Sequence, residues 1–180
     1  MDTQLINGCM DNDRAAQKAV YKALFDQMYR VCYRFLDNQQ DVEEVVNQGF
    51  LKVFVNIRSY RGSGAFEGWV RRIMVRQALD FLKSQRKYKE TQSQSYDGNE
   101  VAASVPNDAF ANLGMHELLA LVHELPPMTR AVFNLFAMEG YPHKDIATEL
   151  GITANTSCWH LNAARKQLQQ ALLAQKTMEK

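Results

Sequence analysis

The chain is 180 residues long, 46% hydrophobic and 23% charged, with a formal net charge of +1. That is enough apolar material for one or two small cores, yet no run approaches the roughly 18 apolar residues of a membrane span. The N-terminus lacks the basic start and apolar centre of a secretory signal, and Cys9, Cys32 and Cys158 are too few and too scattered for a disulfide framework, so a folded cytoplasmic protein is expected.

The apolar positions predict helices throughout. Ala16, Val20, Leu24, Met28, Val31 and Phe35 mark one face of a long helix beginning near Asn12 or Asp13. Val42, Val45, Val46, Phe50, Val53, Phe54 and Ile57 give the stripe of a second, with Asp41, Glu43 and Glu44 at its start, where the helix dipole favours acids. Gly49 within it costs about 1 kcal/mol relative to alanine and points to close packing. After the break at Arg61-Gly62-Ser63-Gly64, a third helix is expected from about Phe66 to Lys87, anchored by Trp69, Ile73, Leu79 and Leu82. Residues 90–112 have no helical period, are rich in Ser, Asn, Gln and Asp, and read as a linker. Leu113 to Leu125 then predicts one helix, Pro126-Pro127 ends it and starts the next, and Thr129 to Met138 leads into a further pair. No segment alternates as a strand does. The expected fold is all-α: two small helical domains, residues 1–89 and 113–180, the second of four helices, joined by a polar linker.

That last pair has the spacing of a helix-turn-helix. Ile146 and Leu150 lie one turn apart on a short helix, and Ala147 is small where a second helix must cross. Gly151 can take the left-handed turn, Ile152 plugs the gap, and Thr153 can cap the next helix. That helix buries Leu161, Ala164 and Leu168 and leaves Asn155, Cys158, Trp159, Asn162, Arg165 and Lys166 outward as a reading face for duplex DNA. A plain helical hairpin in an all-α core would share the pattern.

Charge is unevenly distributed. Residues 58–89 hold nine basic and two acidic side chains, whereas residues 37–57 hold Lys52 against Asp37, Asp41, Glu43 and Glu44. Residues 113–180 balance at six of each. The two adjoining segments suit two partners, one polyanionic and one basic, although solvated faces are the plainer explanation. Arg58, Arg61, Arg71, Arg72, Arg76, Lys83, Arg86 and Lys87 can line a groove for phosphates, while Tyr60, Phe66 and Trp69 offer rings for an unstacked base. Of the three rings, Trp69 is the one expected in the core, which favours Tyr60 and the loop 58–66 for base contact.

No Gly-rich phosphate loop, serine nucleophile elbow or paired-carboxylate cleft is evident, so neither an enzyme nor a cofactor is expected. Cys158 and His160 form C-x-H, which on a helix puts the side chains about 200° apart. Even with His116, His123 and His143 in the same half, there is no second ligand pair at zinc-finger spacing, and no metal site is expected.

Three stretches, in order, carry a resemblance: DVEEVVNQGFLKVF, FEGWVRRIMVRQALDFLKSQRK and LPPMTRAVFNLFAMEGYPHKDIATELGITANTSCWHLNAARKQL. Together they resemble the extracytoplasmic-function (ECF) group of the sigma-70 family, the promoter-recognition subunits of bacterial RNA polymerase. The resemblance implies that residues 1–89 act as region 2, residues 90–112 as a flexible linker and residues 113–180 as region 4. Region 2 would dock on a basic coiled coil of core RNA polymerase through Asp41, Glu43, Glu44 and Gln48, and its basic helix and preceding loop would melt the downstream promoter element. Region 4 would hold the upstream element, with Asn155, Thr156, Cys158, Trp159, Asn162 and Arg165 at the major groove and Lys144 and Lys166 near phosphates. The implied partners are core polymerase and promoter DNA, as duplex and as melted strand, without membrane insertion, and there is room for an anti-sigma factor. A two-domain helix-turn-helix regulator that never joins polymerase would share the second half of the pattern.

The departures fall on contact positions. Asn47 and Gln48 stand where the family usually has Gln and Glu, Arg76 where it has Asn, and Lys83 where it has Arg. Ser157 replaces a valine, and Cys158, Trp159 and His160 replace Lys or Arg, Ser and Arg, so the family's sequence preference does not carry over.

Overall fold

The computed structural model describes residues 1–92 and 119–178, with side chains for 1–85 and 119–171. The expected linker over 93–112, the expected helix over 113–118 and the Arg86 and Lys87 side chains lie outside the described residues. Every regular element described is helical, and the chain divides into two compact units, Met1–Gly98 and Asn99–Lys180.

The first unit opens with α1 (Thr3–Met10), capped by the Asp2 carboxylate, which accepts from the Gln4 N–H at 3.0 Å. No helix was expected there. Gly8 lets α1 approach α2 (Arg14–Tyr33), since a Cβ on it would lie 2.7 Å from that of Ala16. Asp13 caps α2 by accepting from the Ala15 N–H at 2.8 Å, and the expected stripe from Ala16 to Phe35 is buried throughout. α3 (Gln39–Val55) starts on the Asn38 cap, and its Val42, Val45, Val46, Phe50 and Val53 are buried. A Cβ on Gly49 would collide with the Met74 sulfur, so the glycine records the close approach of α3 and α4.

A short 3₁₀ turn, Ile57–Ser59, and a loop with Gly62 and Gly64 at positive φ precede α4 (Phe66–Gln92). This helix is rotated from its expected setting. Phe66, Val70, Met74 and Ala78, one turn apart, form its buried line with Val75 and Leu79, while Trp69, Ile73 and Leu82 flank it half-buried. It also runs three residues, 90–92, into the segment read as linker, where Glu90 and Gln92 are good helix formers.

In the second unit, residues 119–123 are helical (α5). Pro127 then begins α6 (Pro127–Phe133), where its missing N–H costs nothing, and α6 runs into a π-helical turn, Asn134–Met138. α7 (His143–Leu150) and α8 (Ala154–Met178) follow. Leu121, Val122 and Leu125 pack with Ala164 and Leu168 of α8, and Phe133 and Ala171 close over them. Burying each leucine or valine among them contributes ~1.5–3 kcal/mol, so α8 is fixed along one edge and presents the other.

Candidate nucleic-acid interface

α7 ends on Gly151 at φ 66° and ψ 36°, the left-handed turn its position required. The Ile152 N–H donates to the Ala147 carbonyl at 3.0 Å, closing the turn. Thr153 then caps α8: its hydroxyl accepts from the Thr156 N–H at 3.1 Å and shares a hydrogen bond with the Thr156 hydroxyl at 2.8 Å. Thr156, expected at the groove, is thus engaged in the cap. Leu161, Ala164 and Leu168 face inward, and Lys144, Asn155, Cys158, Trp159, Asn162, Arg165 and Lys166 are exposed, Trp159 by 63%.

Polar side chains tie α8 to its neighbours. Ser157 is fully buried and shares a hydrogen bond of 2.9 Å with His143 Nδ1 at the start of α7. His160 Nδ1 pairs with the Thr129 hydroxyl of α6 at 2.9 Å, and burial lowers its pKa from the ordinary histidine value. Arg130, only 1% exposed, donates to the His123 carbonyl at 2.9 Å and so anchors α6 to the end of α5. Neither the buried arginine nor the buried serine has a signal in hydrophobic periodicity.

In the first unit, Tyr60, Phe66 and Trp69 form one aromatic cluster with centroids 5.2 to 5.7 Å apart. Phe66 is 2% exposed and has no open face for a base, which corrects its assignment as a stacking ring. Trp69, expected in the core, is the half-buried flank, because Phe66 and Val70 take the buried line. Tyr60 donates its hydroxyl to the Gly64 carbonyl at 2.7 Å, fixing the loop around its ring. Arg61, Arg72, Arg76 and Lys83 are exposed and Arg71 is half-buried. Arg58 donates to the Met10 carbonyl at 3.3 Å, so part of its hydrogen-bonding capacity holds α1 against the 3₁₀ turn.

On α3, Glu44, Gln48, Leu51 and Val55 are all exposed at i, i+4, i+7 and i+11, one ridge that runs from acidic to apolar. Leu51 is 59% and Val55 82% exposed, and periodicity missed both because they lie off the buried stripe. Asp41, half-buried near Glu44 and Asp37, has its pKa raised chiefly by desolvation and then by those two charges. Glu43 accepts from the Gln39 amide at 3.2 Å.

Among the described residues no group of His, Cys, Asp and Glu could hold a metal ion, and no helix is long and apolar enough to cross a membrane.

Comparison with known proteins sets these surfaces in a family. Residues 20–88 match the model of sigma-70 region 2, and residues 115–172 that of sigma-70 region 4. The ECF RNA polymerase sigma factor SigE of Mycolicibacterium smegmatis is 32% identical over 152 residues, covering 82% of this chain. The chain belongs to the ECF group of the sigma-70 family. It spans 58% of the length of that mycobacterial relative. The RNA polymerase sigma factor SigV of Bacillus subtilis is 26% identical over 77% of the chain and 80% of its own length. The sigma factor RpoE of Bartonella quintana, solved in complex with the anti-sigma factor NepR, shares the fold with a TM-score of 0.58 at 17% identity, over 86% of this chain and 95% of its own. The region 2 match holds the α3 ridge, the 58–66 loop and α4 as far as residue 88, and the region 4 match holds the helix-turn-helix. α1 lies ahead of both.

Proposed function

We propose that this chain is an RNA polymerase sigma factor that directs core polymerase to a set of promoters and helps open them. The observation that carries the reading is the order of surfaces on one chain: a ridge grading from acidic to apolar on α3, a basic α4 behind an aromatic-braced loop, and a capped, exposed reading helix in region 4. The α3 ridge suits a helical partner with basic and apolar side chains, and the family resemblance implies a basic coiled coil of core polymerase. Its acids raise association rate and orientation, and Leu51 and Val55 supply burial that charge alone does not.

The basic face of α4 then takes the melted strand. Arg72, Arg76 and Lys83 lie on one side of the helix and neutralise phosphate, and Tyr60, held at the loop, and the half-buried Trp69 offer ring area to an unstacked base. Stacking of this kind contributes roughly 1 to 3 kcal/mol per base, comparable with the cost of taking a base out of the duplex, so a few contacts hold a bubble without ATP. Asn155, Trp159 and Asn162 read the upstream element in the major groove. A protein covering the α3 ridge would keep the factor from polymerase, and the Bartonella relative is solved with an anti-sigma partner.

Transcription from duplex and pre-opened templates tests the division of labour. Arg72→Ala with Arg76→Ala should lower runoff from duplex promoters roughly tenfold or more while leaving core binding unchanged. A pre-opened bubble should restore much of the lost output. Equal loss on both templates would remove strand opening from the roles of α4.

A further inference from the structure

Arg165 is the twelfth residue of α8, roughly 16 Å along the axis from its start. Helix-turn-helix readers touch base edges with the N-terminal residues of that helix, so Arg165 lies beyond the reading turns. Its guanidinium sits over the Phe136 ring, 5.8 Å from the centroid. Phe136 stacks on His143 with centroids 4.7 Å apart and 20° between the planes, and His143 is held through Nδ1 by the buried Ser157. The ring therefore has a fixed support.

The backbone under Phe136 is itself unusual. It belongs to the π-helical turn Asn134–Met138, closed where the Glu139 N–H donates to the Asn134 carbonyl at 3.1 Å. A π turn inserts a residue into a helix at some cost in geometry and re-aims the side chains on it, which is why such turns recur at functional sites. Among the described residues no carboxylate pairs with Arg165. An exposed guanidinium is thus confined by a ring, and none of the described residues takes up its donors.

We propose that Phe136, backed by His143, is a positioning residue that holds Arg165 ready to grip a DNA backbone phosphate beside the upstream element. The proposal rests on reading the second unit as DNA-binding. A long arginine stem loses rotamer freedom when it closes on phosphate, and ordering it beforehand removes part of that cost. Arg165 thereby leaves the base-reading set, and sequence discrimination falls to Asn155, Trp159 and Asn162 nearer the start of α8.

The test is a double-mutant cycle on the full chain with a mixed-sequence DNA duplex, which suits a contact indifferent to sequence. Arg165→Ala should reduce the slope of log affinity against log salt by about one. Phe136→Leu should weaken binding about three- to tenfold, Phe136→Tyr should retain it, and Phe136→Leu should add nothing in the Arg165→Ala background. In the free protein the Arg165 side-chain protons should carry an upfield ring-current shift in NMR that Phe136→Leu removes. Additive losses, an unchanged salt slope, a tyrosine variant no better than leucine, or no duplex binding at low salt would each overturn the proposal. A failure of the sigma-factor reading appears elsewhere, as absence of runoff with core polymerase, and leaves this cycle interpretable.

Discussion

His143 Nδ1 and the Ser157 hydroxyl lie 2.9 Å apart, and the serine is fully buried. This bond joins the first residue of α7 to the first turn of α8 at a position where the family usually packs a valine. The two helices of the motif are registered by a directional polar contact in place of methyl packing. Ser157→Ala should therefore lower the stability of the second unit by about 1–3 kcal/mol, since a buried hydrogen bond loses one partner. Ser157→Val, despite restoring the usual residue type, should recover little of it, because the imidazole nitrogen still lacks its partner. Chemical denaturation followed by helical signal checks both, and a valine variant more stable than the parent would show that packing outweighs the bond.

His160 makes the second unit sensitive to acid. Burial lowers its pKa from the ordinary value of 6.5, so the folded state binds fewer protons than the unfolded chain in the window just below that value. Folding stability should be unaffected by this group above about pH 7.5 and should fall as pH drops through 6.5 and below. His160→Gln, which keeps a hydrogen-bonding group toward Thr129, should flatten the decline in thermal melts between pH 7 and pH 5. An equally steep decline in the variant would assign the acid sensitivity to other groups.

Gly151 sits at φ 66°, where a Cβ is strained whatever space surrounds it. Gly151→Ala should cost about 1–2 kcal/mol, and Gly151→Asn less, since asparagine tolerates the left-handed region. Urea midpoints for the two variants measure this directly, and an alanine variant as stable as the parent would mean that the turn relaxes.

How much of this was legible in the sequence depended on whether period or tertiary context decides. The Leu161, Ala164 and Leu168 stripe, Gly151 and the Thr153 cap were readable because spacing and turn chemistry are local properties. α1 went unread although Asp2 signals a cap and Leu5, Ile6 and Cys9 are helically spaced, because two turns are too short for a clear period. The rotation of α4 was missed because Trp69 and Ile73 look like anchors by hydrophobicity, whereas Phe66, Val70 and Met74 are the line that meets the other helices. The buried Arg130 depends on its bond to His123 and on the packing of α6 against α8, and the π turn on neighbours in α6 and α7, which no local pattern encodes.

The apolar end of the α3 ridge gives a docking prediction independent of charge. Leu51 and Val55 are exposed, so Leu51→Gln with Val55→Gln, which removes apolar area without adding charge, should leave folding within about 0.5 kcal/mol of the parent. Core-polymerase binding should weaken by roughly tenfold or more, and added salt should not rescue it, unlike the effect of reversing Glu43 and Glu44. Surface-immobilised core and a titration of each variant separate the cases. Undiminished binding by the Leu51 and Val55 variant would restrict the docking face to its acidic end.

The most direct test of the central claim is runoff transcription by bacterial core RNA polymerase on a duplex promoter library, with and without the chain, followed by mapping of transcript starts. Addition of the chain should produce starts at a fixed distance from a shared pair of sequence elements, and Trp159→Ala or Asn162→Ala should change the preference only in the upstream element. A folded chain that binds duplex DNA yet neither joins core polymerase nor yields such starts would contradict the account and leave a two-domain DNA-binding regulator in its place.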